Sequence, residues 1–185
     1  MDDADLSQDR AEREAPYLLA KTQDGKQRAY LINHFLDQFK GTVYRQTMFA
    51  EFELEMGRMA ERGETLTAEA LNEKYLALNK LYFGPDMVSD EEIALEWARI
   101  PHFFYNYYVF QYATGFSAAV AIANRILKEG APAVADYKKF LSSGSSTDPI
   151  SLLKIAGVDM STPDPVNSAL ALFGELVDEM EKLVD

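Results

Sequence analysis

One short stretch, Trp97 to Gly115 (WARIPHFFYNYYVFQYATG), sets an imidazole, His102, beside three phenols at helical spacing, Tyr105, Tyr108 and Tyr112. An imidazole titrates near neutral pH, and a phenol is a neutral donor up to a pH of about 10. A row of such groups is a row of hydrogen-bond donors aimed at something. The competing use is packing, since helical aromatic stripes are usually core with their hydroxyls turned to water. Leu, Ile or Val would fill a core at lower cost, because they carry no hydroxyl that needs a partner. On the residues alone both readings stay open.

These groups need elements to hold them. Pro101 disfavours helix at Ile100 and removes a donor, so a preceding helix stops there. A new helix is predicted just after His102. It would place Tyr105, Tyr108 and Tyr112 at i, i+3 and i+7 on one face. Upstream, Leu31, Phe35, Phe39, Val43, Met48, Phe52, Met56 and Met59 recur at helical spacing from Gln27 to Arg62. Gly41 and its β-branched neighbours mark a bend in that segment. Arg45 is expected to form a salt bridge to another helix. Glu51, Glu53 and Glu55 do not share a face and make a poor carboxylate pair.

Gly63 closes that segment, and Thr65 to Thr67 offers a cap for a helix over 68–82. Ser89-Asp90-Glu91-Glu92 reads as a capping box opening a short helix that carries Trp97. A short helix after Pro16 is expected to stop near Asp24-Gly25. After Tyr112 come Ala113, Gly115, Ser117, Ala118, Ala119, Ala121 and Ala123, a small-residue half expected to be the most buried part of the molecule. Further helices are expected over 133–141, from Asp148-Pro149 to Ala156, and over 166–184. No stretch alternates as a strand would. The fold class is all-α, with 1–15 a poorly ordered acidic N-terminus and 16–185 one helical portion.

Composition narrows the function. The chain has 185 residues, 48% of them hydrophobic, a net charge of −12 and no cysteine. Such charge argues against nucleic acid and anionic membrane as partners. Lack of Cys rules out disulfides and thiolate zinc sites and suits a cytoplasmic location. No apolar run reaches the length of a membrane span. The sequence contains no His-Glu-x-x-His, no Gly-rich phosphate loop and no Gly-x-Ser-x-Gly elbow.

Several stretches, taken in order, resemble the C-terminal part of an oligoendopeptidase F, a zinc metallopeptidase related to thimet oligopeptidase. They are AYLINH (29–34), TVYRQTMFAEFE (42–53), and WARIPHFFY (97–105) with Tyr108, Gln111, Tyr112, Ala113, Thr114 and Gly115. Tyr137, FLSSGS (140–145), LLK (152–154) and AGVDM (156–160) follow. The resemblance is collinear from about Tyr17 onward. It implies the multi-helix C-terminal lobe of a zincin-type oligopeptidase that lacks the metal-binding helices. The family's zinc is held by His-Glu-x-x-His and a Glu on a second helix, all upstream of the matched part. The resemblance therefore implies zinc for the full-length family, held by residues absent from this chain, and none expected for this chain alone.

What the resemblance carries over is the phenol face. Tyr112, His102 and Tyr105 take the catalytic positions that contact substrate and stabilise the oxyanion, while His102, Tyr105 and Tyr108 take substrate-binding positions. No metal ligand is named. The implied partners are a short peptide substrate and the missing N-terminal half of the peptidase, and the isolated chain is expected to be inactive. The alternative is a stand-alone, non-catalytic helical interaction module derived from that fold.

Overall fold

The structure, a computed structural model, describes residues 18, 19 and 21–184. The expected frayed N-terminus over 1–15 lies outside the described residues. Among the described residues every regular element is helical and there is no strand, as the all-α reading requires. The chain divides into two compact units, one spanning Gly41–Ala113 and one formed by the chain up to Lys40 together with Thr114 onward.

In the first unit the main helices are α2 (Arg45–Glu61) and α3 (Ala68–Phe83), which follow α1 (Gly25–Phe39) in the chain. Between α1 and α2 the chain makes one π-helical turn, Lys40–Tyr44, at the bend that Gly41 announces. Met48, Phe49 and Phe52 of α2 bury against Leu71, Tyr75 and Leu78 of α3, with Val109 closing the cluster. Phe52 sits edge-on to Tyr75 at 5.1 Å and to Phe103 at 5.3 Å. Each such side chain contributes roughly 1.5–3 kcal/mol by leaving water. Thr67 caps α3, its hydroxyl accepting from Ala70 N–H.

Two 3₁₀ helices follow, Glu91–Arg99 and Pro101–Phe104. Trp97 packs on the aromatic cluster and donates its indole N–H to Asn72 Oδ1 at 2.8 Å. The capping box expected at Ser89 does not form. Asp90 is the residue at the cap, without a side-chain bond, and the Ser89 hydroxyl instead meets Asn79 Oδ1. A competing side-chain acceptor has taken the group that would have capped.

The second unit packs α1, α4 (Phe110–Glu129, from Thr114 onward), α5 (Ala131–Ser142), α6 (Pro149–Ile155) and α7 (Asp164–Val184). Phe39 meets Phe116 edge-on at 5.3 Å and Phe173 at a tilt at 4.7 Å. Arg28 ties α1 to α7 by pairing with Glu179. Asp24, expected to lie at the end of a helix, instead begins one: its carboxyl accepts from Gln27 N–H and caps α1. Asp148 caps α6 as its sequence context predicts.

The small-residue half of α4 departs from expectation. Phe116, Ser117, Ala118, Val120 and Ile122 are buried, but Gly115 is exposed and Ala119 and Ala123 are half-buried. With Leu127, Tyr137 and Leu153 these three line an apolar cavity of about 380 Å³. Small side chains there leave volume that no described residue fills.

Candidate functional site

The site is built where the chain stops obeying helical periodicity. After Pro101–Phe104, Tyr105 has φ −100°, and Asn106 and Tyr107 take left-handed φ values of 54° and 60°. No α-helix runs through this point; α4 begins only at Phe110. The helix predicted to start after His102 is thus corrected, and of the three phenols only Tyr112 lies on one. The physical reason is a competing acceptor. A helix would direct Tyr107 N–H to Phe103 O, whereas here it meets Glu53 Oε1 at 2.5 Å, on α2.

The turn nevertheless brings the predicted side chains together. The His102 ring lies 5.5 Å from Tyr105, 5.5 Å from Tyr108 and 6.3 Å from Tyr112. It stacks on Tyr108 at 24° and meets the other two edge-on. Tyr108 is edge-on to Tyr105 at 6.1 Å and to Tyr112 at 5.6 Å. The four rings form one continuous cluster, centred on the imidazole, with the edge-to-face contacts that ring quadrupoles favour.

Their exposure separates them from the core. Tyr105 is 58% exposed, Tyr108 38% and Tyr112 40%, while His102 is half-buried. Packing in this stretch is done by other residues: Val109 is buried, and Ile100 and Phe103 lie against the α2–α3 cluster. Rings above and anchors below therefore alternate along one segment. Such an arrangement presents phenol and imidazole donors to whatever lies on the open side.

The floor beneath is held by a second polar group. Glu96, buried in the Glu91–Arg99 helix, accepts from the Tyr75 hydroxyl at 2.6 Å and from the guanidinium of Arg45 at 2.5 Å, and pairs with Arg99. The salt bridge expected of Arg45 thus exists, though to a 3₁₀ helix, and its guanidinium also lies 5.0 Å over the Phe49 ring. Burial pushes the Glu96 carboxyl up, but the Tyr75 hydroxyl and the two arginines more than offset that, so it lies below its ordinary value. Burial, then the bond to Glu96, raises the Tyr75 phenol.

The three alternating glutamates of α2 reach three different partners, as their spacing requires. Glu51 accepts from Tyr82, whose phenol burial and that bond push up to about 12. Glu53 takes Tyr107 N–H, and Glu55 pairs with Arg58 and Lys74. The role of Glu53 is invisible to sequence reasoning, because its partner is a backbone group 54 residues away. The one local signal for the turn is Asn106, a residue type enriched in the left-handed region.

An all-α lobe presenting an imidazole ringed by phenols defines a class narrower than its fold. The model of Peptidase family M3 matches residues 14–172, and the chain belongs to that family. It is 58% identical over 168 residues to Oligopeptidase PepF of Bacillus subtilis (strain 168), a match covering 91% of this chain and 25% of that protein. It is 46% identical over 168 residues to the chromosomal Oligoendopeptidase F of Lactococcus lactis subsp. cremoris, covering 91% and 28%. A crystal structure of oligoendopeptidase-F from Enterococcus faecium superposes with a TM-score of 0.89 at 48% identity, covering 92% of this chain and 33% of that one. The chain therefore spans about a quarter to a third of the length of these relatives.

The zinc that the resemblance implies needs several His, Asp or Glu ligands at one point. Among the described residues no three such side chains gather. His34, on α1, and His102 are the two imidazoles of the sequence. These residues do not fit a metal. Among the described residues no helix is long and apolar enough to cross a membrane.

Proposed function

We propose that this chain is the substrate-facing C-terminal portion of a zinc metalloendopeptidase that hydrolyses short oligopeptides in the cytoplasm. The observation that carries the reading is the ring cluster, four donor-bearing side chains converging on the exposed side of a segment whose other side is core. Tyr112, on the rigid start of α4, donates to the carbonyl oxygen as it gains negative charge. His102 and Tyr105 hold the same oxygen or the adjoining backbone, and Tyr108 fixes the imidazole plane by stacking and contacts the peptide. A preorganised donor of this kind contributes roughly 3 kcal/mol to the transition state, because it is already aimed when charge develops. A zinc ion would supply the activated nucleophile and would need ligands other than the described residues, so the chain alone is expected to turn over no peptide.

The test is co-expression with the N-terminal half of a relative and assay on a fluorogenic peptide. Tyr112→Phe, which removes one oxygen, should lower kcat on the order of 10²-fold with little change in KM. Unchanged kcat in Tyr112→Phe would overturn the oxyanion role.

A further inference from the structure

Two consecutive non-glycine residues, Asn106 and Tyr107, sit in the left-handed region. Such conformations cost on the order of 1–3 kcal/mol each and persist only where their surroundings enforce them. Two residues of α2, one turn apart, bear on this pair: Glu53 holds the turn by a hydrogen bond, and Gly57 leaves room for the Tyr107 ring. Glu53, 6% exposed, accepts Tyr107 N–H with Oε1 at 2.5 Å. Its second oxygen, Oε2, is buried and has no partner among the described residues. Gly57 lies against the other end of Tyr107: a Cβ added there would stand 2.5 Å from the Tyr107 hydroxyl oxygen. The backbone of Tyr107 is thus held by one residue and the tip of its ring accommodated by the other.

We propose that Glu53 and Gly57 are positioning residues, which clamp the Asn106–Tyr107 turn to α2 and thereby set how Tyr105 and Tyr108 flank His102. The turn lies between the two phenols in sequence, so its dihedrals decide whether both rings reach the same imidazole. Released from the clamp, residues 105–108 lose the bond that opposes helix, and the rings meet His102 in a different geometry. Glu53 and Gly57 act through Tyr107, the residue that Glu53 bonds and that a Cβ at Gly57 would crowd. The inference rests on the reading of the ring cluster as the substrate face, but its geometric part stands or falls separately.

The His102 ring reports the geometry directly. Stacked on Tyr108, its protons feel the phenol ring current, while those of His34, on α1 in the other unit, provide an internal reference. Proton–carbon correlation spectra of the chain, which has two histidines, should resolve the two imidazoles. Gly57→Ala should displace the His102 signals and leave those of His34 in place, with no loss of fold, since Ala favours helix over Gly. Adding Tyr107→Phe removes the crowding oxygen and should restore the His102 shifts. Glu53→Ala should displace the same signals, and Glu53→Gln, which keeps an acceptor for Tyr107 N–H, should largely retain them.

His102 shifts unmoved by Gly57→Ala would overturn the clamp. A displacement that Tyr107→Phe does not reverse would overturn the contact through the hydroxyl. In the complemented peptidase, Gly57→Ala should lower kcat on the order of 10²-fold, the usual effect of ångström-scale misplacement, with rescue by Tyr107→Phe. Displaced shifts with full turnover would uphold the clamp and overturn the substrate-face reading on which its purpose rests.

Discussion

Glu53 and Glu96 belong to the same unit and are almost equally buried, at 6% and 7% exposure. They hold opposite kinds of structure. Glu96 is saturated: a phenol and two guanidiniums converge on it, and it fastens the Glu91–Arg99 segment to α2 and α3. Glu53 is half used, with one oxygen on a backbone amide and the other on nothing described. A saturated buried carboxyl is a rivet, because every lost partner leaves others stranded. A half-satisfied one stabilises less and instead selects a conformation, here a turn that the local sequence would not choose. Several bonds converge on Glu96, whereas a single one from Glu53 holds the turn.

This contrast can be broken by measurement. Glu96→Ala strands the buried Tyr75 hydroxyl and unpairs Arg45, so we expect a loss of about 3 kcal/mol in urea unfolding of the chain. Glu53→Ala removes one hydrogen bond and also an unpartnered buried oxygen, and these effects partly cancel. A loss of about 1 kcal/mol is expected. Equal losses from the two variants would erase the distinction between rivet and clamp.

The rivet also predicts a pH dependence of particular sign. Glu96 lies below its ordinary value of 4.5 in the folded state. Its contribution is therefore fully present above that value and is lost as pH falls through the lower folded value. Urea midpoints measured from near-neutral pH downward should decline less steeply in Glu96→Gln than in the parent. Parallel curves would show that the carboxyl's charge is not what holds the segment. The smallest expected effect is at the turn. Asn tolerates left-handed φ, so Asn106→Gly should change stability by no more than about 0.5 kcal/mol. It should also leave the His102 signals in place, because the clamp acts on Tyr107. A larger change would mean that Asn106 itself holds the turn.

How far the sequence could be read depends on the range of the interactions involved. Where a neighbour three or four residues away decides the structure, the reading held except at Asp24, whose carboxyl caps α1 through Gln27 N–H and was read as a helix end. Periodicity placed α2 and α3, Thr67 and Asp148 declared their caps, and Gly41 marked the π turn. The chemical types in the 97–115 stretch were also legible, and so was the likeness of the whole to a peptidase family. The same local logic failed at Ser89 and at Tyr105–Tyr107, in each case because a distant acceptor outbid the local one.

By itself, then, the sequence determined which residues could act, that they are phenols and an imidazole close together in the chain, and that helices must carry them. It assigned them to one face by helical periodicity, and that route was wrong although His102, Tyr105, Tyr108 and Tyr112 do meet. Only the tertiary structure decided how they meet. A buried carboxyl on α2 takes a backbone N–H that no local pattern marks as available, and a hydrogen bond across 54 residues cannot be read from spacing.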